Sequence, residues 1–559
     1  MKDQSIPAVP AGEGRPTYAQ ASDTPPGYKW RVLSTVIFGI FMVILDTTVV
    51  NVAFQTLRQE FGANINDAQW IISVYVLALG ISTPLAGFLA DRFGIKRVYL
   101  GGLMAFVLGS LACGLSPNLP IMVAARAFQG FGGGIALPLG IALLLAAFPV
   151  AEQGMALGVF GIAAIVAPAV GPILGGWLVD HGFWRLIFFI NPPIGLVGVL
   201  LGSRFLRERR SDRKPPLDIL GLITEVIGFG AILYGASVAA QFGWSSSSVV
   251  GAFVVGTVGL ILFAIVELYV AKVPLLDLRL FRKRVFLNAS LLGYVSVIAL
   301  FGAEFLMPLY LQALRGLSAL ETGLMLLPLA ITGGISVTVA GRLYDRLGPR
   351  PLVTVGFTIL MVNTWQLSQI RGDTSLAWIE FLLALRGVAL GLTVQTTLVT
   401  ALSVVPLKDV ARGSSLTNAT RNLVQAIGVA VLATILVSTV SPAVQQLQQA
   451  FADAPRPGDA PTHVAGLCEP VQIASTSGRQ VGSVTLIASD GATRPAPALP
   501  PNVGALLQRA CKENVAGFER AYTVTFIAAL LALILGMMLP GWPRKWGGRR
   551  AADVPVASH

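Results

Sequence analysis

Apolar runs of about 18 residues or more recur along the whole chain, most of them separated by short charged loops. This pattern allows few folds. A soluble core has no use for so much apolar surface. Of the 559 residues, 54% are hydrophobic and only 12% are charged, against about 25% charged in soluble domains. Mean hydropathy is +0.72. The chain is therefore expected to be an all-α polytopic membrane protein in a lipid bilayer, because a helix answers its backbone polar groups internally. The 60 glycines and 34 prolines fit, both being commoner in transmembrane helices than in soluble ones. The runs predict fourteen spans, near 31–54, 68–90, 98–115, 120–147, 156–179, 186–206, 218–240, 248–271, 287–312, 321–341, 351–368, 376–404, 414–440 and 519–541.

Arginine and lysine set the orientation. One set of loops carries Arg92, Lys96 and Arg97, then Arg204 to Lys214, then Lys272 to Arg284, then Arg342, Arg346 and Arg350, then Lys408 and Arg412. The opposite short loops carry only Arg58, Arg185, Arg315 and Arg371. The rich set, and with it both termini, is predicted to be cytoplasmic. The net charge of +12 is explained by these loops, so no nucleic-acid partner is expected.

The most polar short loop occurs twice. GFLADRFGIKRV at Gly87–Val98 is echoed by GRLYDRLGPRPL at Gly341–Leu352, with Gly87, Leu89, Asp91, Arg92 and Gly94 aligning on Gly341, Leu343, Asp345, Arg346 and Gly348. The first copy joins spans 2 and 3, and the second joins spans 10 and 11. Spans 1–6 then match spans 9–14, and spans 7 and 8 are an insertion. Two six-helix halves related by a parallel repeat are the expected major facilitator arrangement, with a substrate site between the halves. The predicted units are a disordered cytoplasmic stretch 1–29, a half over 30–206, a linker with two inserted helices over 207–286, a half over 287–541, and a cytoplasmic tail 542–559. The stretch 1–29 lacks the features of a signal peptide.

A segment of 78 residues, 441–518, separates spans 13 and 14 and is predicted to be extracytoplasmic. Both of its ends suit amphipathic helices, and VGSVTLIAS suits a short hairpin. Cys468 and Cys511 share this segment; outside the cytoplasm they are free to form a disulfide. Cys113 sits in an apolar run as a small packing residue.

Several motifs together resemble the 14-span drug:H⁺ antiporter family of the major facilitator superfamily. LDTTVVNVAF (Leu45–Phe54) places Asp46 within span 1, where an ionisable group marks function by default. The resemblance links that Asp to substrate and proton coupling. In the repeated loop, Gly87, Asp91, Arg92, Gly94 and Lys96, with Asp345 and Arg346, are implied to form a conformational latch. Asp91 would face the positive end of the helix starting near Arg412–Ser415. Ile95 departs from the family, which usually has a base there; Lys96 and Arg97 are expected to keep the electrostatic role. RAFQGFGGG (Arg126–Gly134) implies proton transfer by Arg126, with a structural ion pair to Asp91 or Asp46 as the alternative. Its counterpart around Arg386 is degraded. APAVGPILGGW (Ala167–Trp177) carries Pro168, Gly171, Pro172, Gly175 and Gly176. The prolines remove backbone bonds and the glycines allow close packing, and the resemblance makes this the antiporter signature of exporters.

Glu304 is one turn beyond Leu300, the repeat position of Asp46. It is a candidate second site for a proton or a substrate cation. Glu225 and Glu267 fall in the inserted pair and are read as packing or interface groups. The three histidines show no metal or catalytic spacing and no Walker A motif is present, so no enzyme, metal or cofactor is expected and a proton gradient supplies the energy. The expected function is proton-coupled antiport that exports amphipathic or aromatic small molecules across the cytoplasmic (inner) membrane. A dedicated exporter of a lipid, fatty acid, siderophore or biosynthetic product is the alternative, and a membrane scaffold or sensor is a rival of another class. In a Gram-negative envelope, segment 441–518 would suit a periplasmic adaptor protein.

Overall fold

The computed structural model describes residues 27–63, 65–149, 152–208, 218–271, 274–406, 409–438, 463–464, 468, 485–487, 493–495 and 503–541. Among these, fourteen helices of 15 residues or more follow one another: α1 (Tyr28–Glu60), α2 (Trp70–Phe93), α3 (Ile95–Gly114), α4 (Leu119–Ala147), α5 (Gln153–Asp180), α6 (Asn191–Phe205), α7 (Ile219–Phe242), α8 (Ser247–Ile265), α9 (Arg284–Leu309), α10 (Ala319–Leu347), α11 (Pro349–Leu367), α12 (Leu376–Ser403), α13 (Val410–Ser438) and α14 (Val503–Met537). Twelve helices are long and apolar enough to cross a membrane, which makes the chain a multi-pass membrane protein. The outward faces carry large apolar side chains such as Val254, Val258, Ile261, Ile335 and Phe381. Lipid, unlike water, exacts no penalty for them.

The two copies of the charged loop become two tight turns. Gly94 (φ 97°) separates α2 from α3, and Gly348 (φ 79°) separates α10 from α11. Both need a left-handed conformation that glycine adopts without strain. The two ends of the described chain lie on the side of these turns. The Tyr28 hydroxyl accepts the Arg207 amide at 3.3 Å, and the Arg350 amide donates to the Pro540 carbonyl at 3.3 Å.

The halves meet along α5 and α10 through small residues. A Cβ on Gly154 would stand 2.7 Å from the Gly341 carbonyl, one on Gly158 2.8 Å from the Val337 carbonyl, and one on Gly323 2.9 Å from the Ile173 amide. The seam thus runs most of the length of both helices. The inserted α7 fills the angle between α2 and α13: Trp70 stacks on Tyr234 with ring centroids 5.9 Å apart, and Ala236 packs with Ala430.

Segment 441–518 departs from expectation at its end. NVGALLQRACKENVAGFERA is not a separate amphipathic helix, because α14 runs without a break from Val503 to Met537. The start of the segment, 441–454, lies outside the described residues. The predicted hairpin is present as β2 (Thr485–Ile487) paired antiparallel with β3 (Thr493–Pro495), and β1 (His463–Val464) adds a third strand. This small sheet is the exception to an all-α architecture. Cys468 and Cys511 form a disulfide, and the Cys468 amide donates to the Leu314 carbonyl at 2.9 Å, which ties the segment to the end of α9.

Gly158→Val is expected to lower thermal stability in detergent by overpacking the seam, at a cost of about 1–3 kcal/mol. Gly251→Val, where a Cβ meets nothing within 4 Å, is the control that should leave the melting temperature in place.

Candidate functional site

Asp46, midway along α1, and Arg126, two turns into α4, come together in the middle of the first half. Arg126 Nη1 donates to Asp46 Oδ2 at 2.6 Å, and both residues are 1% exposed. An ion pair this deep needs its remaining donors and acceptors answered, and several hydrogen bonds surround it. Arg126 Nη1 also reaches Gln129 Oε1 at 2.7 Å, and its Nε donates to the Ile71 carbonyl at 3.1 Å. Asp46 Oδ1 accepts from Gln129 Nε2 at 2.9 Å and from Asn191 Nδ2 at 2.7 Å. Asn191 continues to Ser110 Oγ at 3.0 Å, and Ser110 to the Phe188 carbonyl at 2.8 Å. The guanidinium lies over the Tyr75 ring, 4.0 Å from its centroid, a further cation–π attraction in a dry site. Five helices thus converge on one carboxylate and one guanidinium.

Of the two acids open to Arg126 from sequence, the structure selects Asp46. Gln129, Asn191, Ser110 and Tyr75 were not singled out from sequence. Gln129 was legible as the residue one turn after Arg126 on the same helix face. Asn191 comes from another helix and had no such signal.

The proline-glycine stretch of α5 lies against this site. The α5 helix continues through both Pro168 and Pro172. A Cβ on Gly171 would run into the Thr48 side chain of α1, and one on Gly175 would stand 3.1 Å from the Val49 carbonyl; Gly176 beside it is buried. The missing side chains bring α5 onto α1 within one turn of Asp46. The same helix carries the inter-half seam along most of its length, so α5 touches both the surroundings of the buried ion pair and the opposite half.

Asp91 sits at the far end of α2 and pairs with the other half. Arg412 Nε of α13 donates to Asp91 Oδ2 at 2.5 Å. The Gly87 amide donates to Ser415 Oγ at 3.1 Å, and a Cβ on Gly87 would lie 2.9 Å from Arg412 Cα. The second copy makes the mirror contact: Asp345 Oδ1 accepts the Gly154 amide at 3.2 Å, at the start of α5 where amides lack helical partners. The two aspartates differ in means, Asp345 using a helix amide and Asp91 a guanidinium.

Two bases of the loop, Lys96 and Arg97, turn toward α6 and Glu208 just beyond it. Lys96 Nζ donates to the Ser203 carbonyl at 2.7 Å, and the Lys96 amide donates to Glu208 Oε1 at 3.2 Å; Arg97 pairs with Glu208 at 3.6 Å. These bonds hold the loop beside Gly94 to the end of α6 and to Glu208 just after it. Arg92 lies over the Phe93 ring, and Arg346 is exposed.

In the second half Arg386 matches Arg126. It is fully buried, with Nη2 2.7 Å from the Ala299 carbonyl and Nη1 3.4 Å from Asn363 Oδ1. Glu304 falls on α9, and its side chain lies outside the described residues. A small cleft between α9, α12 and α13 is lined by Ser290, Tyr294, Thr397, Thr417 and Arg421, among others.

The description of the Major Facilitator Superfamily matches residues 36–429. The lincomycin resistance protein LmrB of Bacillus subtilis (strain 168) is 31% identical over 72% of this chain and 85% of its own length. A multidrug resistance protein B homolog of Mycobacterium tuberculosis (strain ATCC 25618 / H37Rv) is 30% identical over 78% of this chain and 81% of its own length. The crystal structure of a double-Trp mutant of XylE superposes with TM-score 0.54 at 13% identity, over 94% of this chain and 98% of that one. That likeness concerns the fold.

Removing one member of the buried pair should cost more than removing both charges. Arg126→Ala is expected to destabilise by about 3–5 kcal/mol, while the double variant Asp46→Asn/Arg126→Gln recovers much of the loss; a thermal-unfolding double-mutant cycle reads this. For the latch, Asp91→Asn should reduce transport several-fold and leave substrate affinity near the parent value, as compared by flux and equilibrium binding.

Proposed function

The chain belongs to the Major Facilitator Superfamily, and on that premise we propose that it is a proton-coupled antiporter that exports amphipathic or aromatic small molecules by alternating access. Membership makes it a transporter and not an enzyme. The single observation that carries the finer reading is the Asp46–Arg126 pair, buried at 2.6 Å and wedged against the proline-glycine stretch of α5. The resistance activities in the names of the relatives LmrB and the multidrug resistance protein B homolog support a toxic compound as cargo.

In this reading all fourteen long helices cross the cytoplasmic membrane, and the side of the charged turns, with both termini, is cytoplasmic. A proton reaching Asp46 neutralises the partner of Arg126 and frees the guanidinium to reorganise with Gln129. A cationic substrate competes with the proton for the carboxylate, so exchange follows from mutual exclusion. The α5 helix transmits that change to the seam with α10, and the Asp91–Arg412 and Asp345–Gly154 contacts hold the cytoplasmic side shut until they break. Glu304 serves as a second proton or cation site. No cofactor takes part. Segment 441–518, tied down by Cys468–Cys511, faces away from the cytoplasm and is where a periplasmic adaptor would dock.

Purified protein in liposomes should release protons when a toxic amphipathic cation is added and export it down an imposed proton gradient. Asp46→Asn should abolish both, and Glu304→Gln should reduce both. Substrate-induced proton release and gradient-driven export in Asp46→Asn equal to the parent would overturn the coupling.

A further inference from the structure

The inserted helices hold acids that this transport cycle does not use. α7 and α8 are pressed together by glycine: a Cβ on Gly228 would lie 2.8 Å from the Leu260 amide, and one on Gly259 2.8 Å from Gly228. Glu225 precedes Gly228 by three residues and follows Gly221 by four, which puts all three on one face of α7. At Gly221 a Cβ would stand 3.0 Å from Glu267 Oε1, so Glu267 faces the same seam one turn from Glu225. Glu225 is 0% exposed and Glu267 1% exposed.

The two acids are not equivalent. Glu267 sits in a π-helical turn, Val266–Val270, that ends α8, and such turns are enriched at functional sites. Its oxygens accept the amides of Leu275 at 3.2 Å and Leu276 at 3.4 Å. Among the described residues, neither oxygen of Glu225 has a hydrogen-bond partner, and the charge acting on it is that of Glu267. A carboxylate with no donor, enclosed in a membrane-spanning helix pair beside a second acid, has nothing to offset its lost hydration. A proton removes that cost without any change in packing.

We propose that Glu225 is a proton-binding site, coupled through Glu267 to the Asp91–Arg412 latch. The charged groups that act on Glu267 include Asp218 of the α7 region and Arg412 of α13, and Glu267 in turn acts on Glu225. Arg279 donates to the neighbouring Leu268 carbonyl at 3.4 Å. Around the latch stand Asp91 and Asp409. Arg412 makes its 2.5 Å bond to Asp91 and also feels the charge of Glu267. A proton lost from Glu225 adds negative charge on the Glu267 side and draws Arg412 away from Asp91. Its return restores the latch. No other bond is made or broken.

The coupling rests on reading Asp91–Arg412 as a latch; the proton site does not. Both are tested on the full chain in lipid nanodiscs. Infrared difference spectra across a pH series should contain a protonated-carboxyl band that Glu225→Gln removes and Glu225→Asp retains with a shift. Distances between labels on the latch ends of α2 and α13 should grow as pH rises, lose that dependence in Glu225→Gln, and regain it in Glu225→Asp. A Glu225→Gln spectrum identical to the parent, or a Glu225→Gln distance profile that tracks the parent, would overturn the proposal. A label distance unchanged by Asp91→Asn would instead overturn the latch reading, and the infrared result stands apart from it.

Discussion

A guanidinium in the middle of a helical membrane bundle leaves the surrounding residues little freedom. Arg126 cannot shed its charge, and its donors need oxygens inside the protein. Asp46 and Gln129 accept from Nη1 and the Ile71 carbonyl from Nε, and Asn191 then supports Asp46. The answering atoms come from α1, α2, α4 and α6. Satisfying one side chain therefore fixes the relative depth and rotation of four helices, because a shift of one residue in any of them would strand a buried polar atom. The first half is organised around this requirement, and the remaining contacts are mostly apolar packing and glycine seams, which specify geometry less sharply.

The second half places Arg386 where the first has Arg126, with Nη2 2.7 Å from the Ala299 carbonyl and Nη1 3.4 Å from Asn363 Oδ1. The repeat is plainest in its turns. Gly94 and Gly348 keep the same backbone sign, and Asp91 and Asp345 both reach across to the other half. Turns of this kind are fixed by steric rules that do not depend on what the halves enclose. The interior is where duplicated halves can diverge, since one charged centre is enough to be coupled to a cycle.

α5 connects these features. One end of it lies on α1 beside Asp46, through Gly171 and Gly175, and the other end meets α10 and Asp345 through Gly154 and Gly158. Proline and glycine in the same helix serve both purposes. They remove side chains where another backbone must come close, and they weaken the internal ladder where the helix must flex.

The sequence by itself determined the number and placement of the long helices, the two-fold repeat and the inserted pair. These follow from hydropathy and local turn chemistry, each read within about 20 residues. It also located Asp46, Arg126, Asp91 and the glycines of α5, since an intramembrane charge or a glycine-proline cluster is conspicuous on its own. Only the tertiary structure decided the partners. Whether Arg126 would meet Asp46 or Asp91, that Lys96 and Arg97 would turn back to Glu208, that Asn191 would complete the buried site, and that Glu225 would be enclosed beside Glu267 all depend on helix rotation and depth. A run of apolar residues constrains where a helix lies, but not which of its faces meets which neighbour. That choice is made by side chains far apart in sequence, through close packing and the need to satisfy every buried polar atom.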